Sequence, residues 1–241
     1  MDTRQKILNF YCVKNQAIKK EMQPKSQASF DKYFKLRDGD KAFHIEQGCS
    51  RRWMNIDDNQ RDSANIDILF PDRSNEHFQQ ALTNAENGES PNNISPIIKC
   101  VCENFTFMWM GDLETDFMEK IEDDVDLCKV NVLFTPHHGR YTGKVPKSWL
   151  ERLNPDLIIV GEAPSEDLNY YSGYDTITQN SAGNITFLLN NNSCNIYVGN
   201  TNCSTIFQNN DYKADGICQS IKIKGNDFIL GYKILDLIRK D

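Results

Sequence analysis

The chain has 241 residues, 39% of them hydrophobic and 25% charged, with a formal net charge of −7. That is the composition of a soluble globular protein, long enough for one large domain or two small ones around a real core. The acidic balance argues against a dedicated nucleic-acid-binding surface while leaving room for a local basic rim around a cleft.

Residues 1–29 are lysine-rich and read as an N-terminal segment, helical before Pro24. They hold no signal-peptide core followed by a small-residue cleavage site. No apolar run anywhere approaches the ~20 residues needed to cross a bilayer, so a cytoplasmic protein without membrane contact is expected. Residues 30–70 read as short strands and turns. Asp38-Gly39-Asp40 signals a turn, Phe43 and Ile45 alternate as a strand would, and Ile66–Phe70 is a strand stopped by Pro71. Phe78, Ala81, Leu82 and Ala85 have helical spacing within 72–86, and an Asn-, Gly- and Ser-rich loop follows.

The next stretch is the most regular. Ile97–Cys102 and Phe105–Met110 read as paired strands, and the second is so apolar that burial on both faces is expected. A helix over Leu113–Ile121 comes next, with Asp112 placed to cap it. Val130–Phe134, a short helix over Ser148–Leu153 and a strand over Leu157–Val160 continue a βαβαβ order, which predicts a layered α/β sheet. Residues 184–200 read as a hairpin across an Asn-rich turn. The tail from Ser220 carries another strand and a short final helix. The eight cysteines have irregular spacings and no C-x-x-C pair, so reduced, mostly buried thiols are expected.

Two motifs carry chemistry. Gly111-Asp112-Leu113-Glu114 sets an acid where a buried strand ends, and Thr135-Pro136-His137-His138-Gly139 sets two imidazoles after another strand. In a parallel βαβ unit both strand ends share one sheet edge, where open α/β sheets place ligands. Carboxylate oxygen and imidazole nitrogen suit a borderline metal such as zinc, so Asp112, His137 and His138 are expected to cluster within reach of a shared ion.

The ordered set Asn92-Asn93-Ile94-Ser95, Gly111-Asp112-Leu113-Glu114, Pro136-His137-His138-Gly139 and Asn154-Pro155-Asp156 resembles the distal half of ComEC-like (competence-protein) domains of the metallo-β-lactamase superfamily. Ser181-Ala182-Gly183-Asn184, within Tyr174–Ile185, resembles the stretch that closes that fold. The resemblance covers roughly residues 30–200. It implies an α/β metallo-β-lactamase-like αββα sandwich, incomplete at its N-terminal side, with residues 30–241 as its distal part.

The resemblance implies metal-dependent hydrolysis of a phosphodiester, most naturally nucleic acid, with zinc or manganese as cofactor. By it, Asp112 resembles a metal-bridging ligand, His138 a ligand of the second ion, and His137 a ligand or a catalytic group that orients or protonates a leaving oxygen. Arg140 and Lys144 follow the motif closely enough to meet phosphate charge. The hallmark H-x-H-x-D-H is not in the chain, and only His44 and His77 lie outside the pair. The chain is therefore expected to be weakly active or inactive by itself. Either it is truncated and completed by a missing N-terminal half or a second copy, or it is a degenerate, non-catalytic partner-binding module with a vestigial metal site.

Overall fold

A computed structural model describes residues 7, 9–18, 24–207, 210–214, 218–223 and 226–238. Strand β1 (Phe10–Cys12) runs parallel to β2 (Ala42–His44), with helix α1 (Pro24–Arg37) between them in sequence. A six-stranded sheet follows, hydrogen-bonded in chain order from β3 (Ile66–Phe70) through β4 (Ile97–Cys102), β5 (Phe105–Trp109), β6 (Val132–Phe134) and β7 (Leu157–Val160) to β8 (Thr176–Thr178). The β3–β4 and β4–β5 pairs are antiparallel, and β5 to β8 are parallel throughout.

Helices α2 (Glu76–Glu86), α3 (Thr115–Lys120), α4 (Lys147–Leu153) and α5 (Ser165–Leu168) fill successive connections, and α6 (Gln179–Ala182) follows β8. A second, antiparallel sheet has the order β13-β14-β10-β9, built from β9 (Ile185–Asn190), β10 (Ser193–Val198), β13 (Cys218–Ile223) and β14 (Asn226–Ile238). Strands β11 (Ser204–Phe207) and β12 (Asn210–Lys213) form a separate hairpin. Among the described residues no helix is long and apolar enough to cross a membrane.

The architecture is mixed α/β in three layers, because the six-stranded sheet is apolar on both faces. One face buries Ile68, Met108, Leu133 and Ile158 against Phe78 and Leu82 of α2, Phe117 and Met118 of α3, and Trp149 and Leu153 of α4. The other buries Phe105, Phe107, Val132, Leu157 and Ile159 against Cys194, Ile196, Val198 and Ile234 of the second sheet. Between the sheets Trp109 stacks on Phe134 with ring centroids 4.6 Å apart, and Phe187 meets Phe107 edge-on at 5.4 Å. At roughly 1.5–3 kcal/mol for each large buried side chain, these two cores carry the fold. The double-sided burial expected of β5 is met within the chain itself.

Most of the elements read from the sequence lie within a few residues of their expected bounds, β8, β11, β12, α5 and α6 were not read from it, and three further differences stand out. First, the helix expected before Pro24 is absent from residues 9–18, which carry β1, the rest of that expectation lies outside the described residues, and α1 begins at Pro24. Proline is favourable in the first helical turn, where its missing N–H has no partner to lose. The helix runs through 30–37, read as strand and turn, so position 29/30 lies inside it. Arg37 anchors its far end, donating from Nη1 to Ala17 O at 2.8 Å and stacking 4.8 Å from the Phe34 ring.

Second, α3 starts at Thr115 with Glu114, not Asp112, as the flanking residue. Third, the expected final helix is strand: β14 runs unbroken over Asn226–Ile238. There, pairing with β10 and β13 overrides a local pattern that a short helix would also satisfy.

Candidate functional site

Parallel strands β5, β6 and β7 bring three loops to one edge of the central sheet: Gly111-Asp112 after β5, Pro136–Gly139 after β6, and Gly161 after β7. Ser95 joins them, because antiparallel β4 begins where β5 ends. The loops interlock through the backbone. The His137 amide donates to Gly111 O at 2.9 Å. The Asp112 amide donates to Ser95 Oγ at 3.1 Å. Glu114 closes the same junction, accepting from Asn92 Nδ2 at 3.1 Å and Asn93 Nδ2 at 2.9 Å, while its own amide donates to Asn93 Oδ1 at 3.0 Å. The Asn92–Ser95 and Gly111–Glu114 motifs are thus one structural unit.

His137 (φ 46°, ψ 41°) and His138 (φ 60°, ψ 10°) are successive non-glycine residues in the left-handed region, followed by Gly139 at φ 80°. Each such residue costs roughly 1–2 kcal/mol, so surrounding contacts must hold the turn. They do. A Cβ on Gly143 would sit 2.4 Å from His137 Cβ, and one on Gly161 3.0 Å from His138 Cα and Cβ, so both imidazole-bearing residues lie directly on glycine backbone. Thr142 Oγ1 and His137 Nδ1 are hydrogen-bonded at 3.0 Å. Thr115 Oγ1 donates to the carbonyls of Thr142 and Lys144, at 3.1 and 2.7 Å, tying the loop to α3.

Asp112, His138 and Arg140 are exposed at this edge, and His137 is half-buried. Lys144 points the other way. Its ammonium lies 2.9 Å from the buried Asp167 carboxylate, between the rings of Tyr141 and Tyr170 at 4.8 and 5.4 Å. Its charge is met inside the protein. Tyr170 in turn donates to Val145 O at 2.8 Å, and the buried Tyr171 hydroxyl accepts from the Val145 amide at 3.3 Å. Burial pushes the phenols of both tyrosines up.

The donor set does not fit a zinc or manganese pair. Metal sites of this kind need three or four protein ligands for each ion. Among the described residues no three His, Cys, Asp or Glu side chains are grouped to hold a metal. The segments carrying Asp112, His137 and His138 meet, but the three side chains do not make the expected cluster. The remaining histidines do not complete it: His44 lies on β2 and His77 on α2. A cleft of about 360 Å³ lined by His77, Asn93, Glu114 and Lys120 opens beyond the Asn92–Ser95 loop, and none of Asp112, His137, His138 or Arg140 lines it.

Thr115, Thr142 and Asp167 escape a reading by motif. Single threonines and an acid within Ser165–Leu168 carry no periodic or spacing signal, and their partners are set by the meeting of separate loops. Compared with known proteins, the chain matches no family model and no curated protein.

Proposed function

We propose that the chain is a metallo-β-lactamase-type fold that binds a phosphodiester ligand at the β5–β6–β7 edge without hydrolysing it by itself. The observation that carries this reading is the His137-His138 turn, held in a strained conformation at the sheet edge by Gly111, Gly143 and Gly161. Strain of this kind persists where the surroundings over-determine it, and it concentrates at ligand clamps and reactive centres. The αββα reading is supported by the helix–sheet–sheet layering and by the acidic, histidine and Asn154-Pro155-Asp156 motifs at successive strand connections. The exposed Arg140 guanidinium supplies the fork that recognises phosphate oxygens, and His138, exposed on the same loop, adds a ring donor. The absence of turnover follows from the donor set, which is too small for the two-ion chemistry that makes a water nucleophilic near neutral pH.

The test uses the purified 241-residue chain with bis(4-nitrophenyl) phosphate and added zinc or manganese, alongside binding of a labelled single-stranded oligonucleotide. Saturable binding weakened by Arg140→Ala, with no metal-dependent turnover, is the expected result. A second reading, a metal-dependent hydrolase, is favoured by the same strained turn. Turnover that needs zinc or manganese and is lost in both Asp112→Ala and His138→Ala would establish it instead.

A further inference from the structure

Tyr141 is a large ring left mostly in solvent, at 76% exposed. A single exposed tyrosine is ordinary on a protein surface. This one is held in place. The Lys144 ammonium sits over one ring face, 4.8 Å from the centroid, and is itself fixed 2.9 Å from Asp167. The backbone beneath is a tight 3-10 turn over Tyr141–Gly143, fastened to α3 by the Thr115 hydroxyl. One face of the ring rests on a buried ion pair and the other is left to solvent. The Lys144 contact already makes part of the ordering that a flexible aromatic would undergo on binding, which lowers the cost of stacking.

Its neighbour in sequence is Arg140, which is exposed and, among the described residues, paired with no carboxylate. An exposed aromatic plate next in the chain to an exposed guanidinium matches a planar ring joined to a phosphate through a short linker. Resting on the proposed phosphodiester-binding function, we infer that Tyr141 is a stacking platform for a nucleobase whose phosphate meets Arg140. Among nucleic acids the ligand this favours is a single strand, because only unpaired bases offer a free face, and stacking of this kind tolerates any base. Duplex DNA, sugar phosphates and phospholipid headgroups lack that face and gain nothing from Tyr141.

Fluorescence anisotropy with two labelled 12-mers, a deoxythymidylate strand and an abasic strand of the same length, tests this on the full chain. The deoxythymidylate strand should bind about tenfold tighter than the abasic one. Tyr141→Ala should abolish that preference, as should Tyr141→Leu, which keeps apolar bulk over Lys144. Tyr141→Phe should retain it, and Arg140→Ala should weaken both strands alike. Equal affinity of the wild type for the two strands, or a preference that survives in Tyr141→Leu, overturns the stacking role while the phosphodiester site stands. No binding of either strand by the wild type overturns both.

Discussion

The amide of His137 donates to the carbonyl of Gly111 across 2.9 Å, stitching the loop after β6 to the loop after β5. This bond joins the two motifs that stand out in the sequence, 26 positions apart. It is a main-chain contact, and it depends on the bare glycine backbone on which the two loops close. The strained histidine turn, the Asp112 loop and the Asn92–Ser95 loop therefore move as one piece.

Replacing Gly111 by alanine should break that piece. At φ +55° a side chain is strained, and its Cβ would sit 2.5 Å from Ser95 Cβ. Gly48 is the control: its φ is +67° but an added Cβ meets nothing within 4 Å. Urea unfolding should show Gly48→Ala costing about 1 kcal/mol, the backbone term alone. Gly111→Ala should cost about 2–4 kcal/mol once overpacking is added. Equal losses would mean that Ser95 yields without cost.

The Lys144–Asp167 pair should tolerate paired but not single substitution. Removing one partner leaves the other charge buried and uncompensated, with a loss of about 3–5 kcal/mol in a fully buried pair and less here, where Lys144 keeps some solvent contact. Asp167→Ala should therefore destabilise by about 2–4 kcal/mol in chemical denaturation. Lys144→Met combined with Asp167→Leu should recover most of it. If the double variant is as unstable as the sum of the two singles, the pair is not coupled.

Alkaline pH should weaken the sheet–sheet interface. Cys194 is fully buried between the sheets, and burial first, then the negative charge of Asp236, raises its thiol from the usual 9.0 to about 12. The folded state thus holds the proton more tightly than the unfolded one. That contribution is complete below pH 9 and is lost as pH rises towards 12. Thermal melts between pH 8 and 11 should show stability falling with a slope that Cys194→Ala reduces. In the native state at pH 8 a thiol reagent should label the exposed Cys102, Cys128 and Cys218 and leave Cys194 untouched.

The sequence by itself determined the local elements and their order. The two-residue alternation and apolar runs of Ile66–Phe70, Ile97–Cys102 and Leu157–Val160 set strands that the structure reproduces to the residue. The almost wholly apolar Phe105–Met110 pointed to a strand covered on both sides. The placement of an acid and two histidines at strand ends was legible because parallel strands necessarily share an edge.

The tertiary structure decided what those residues face. Whether Lys144 meets solvent or Asp167, 23 positions away, depends on how two loops fold over each other, and no short spacing encodes it. The same holds for Thr142 against His137, and for the histidine side chains, which left-handed backbone and the close approach of Gly143 and Gly161 aim into place. Segment ends were ambiguous for a related reason. Pro24 can stop a helix or start one, and the tail can coil or extend. Only the partners that each finds, Arg37 with Ala17 and β14 with β10, select between conformations of similar local energy.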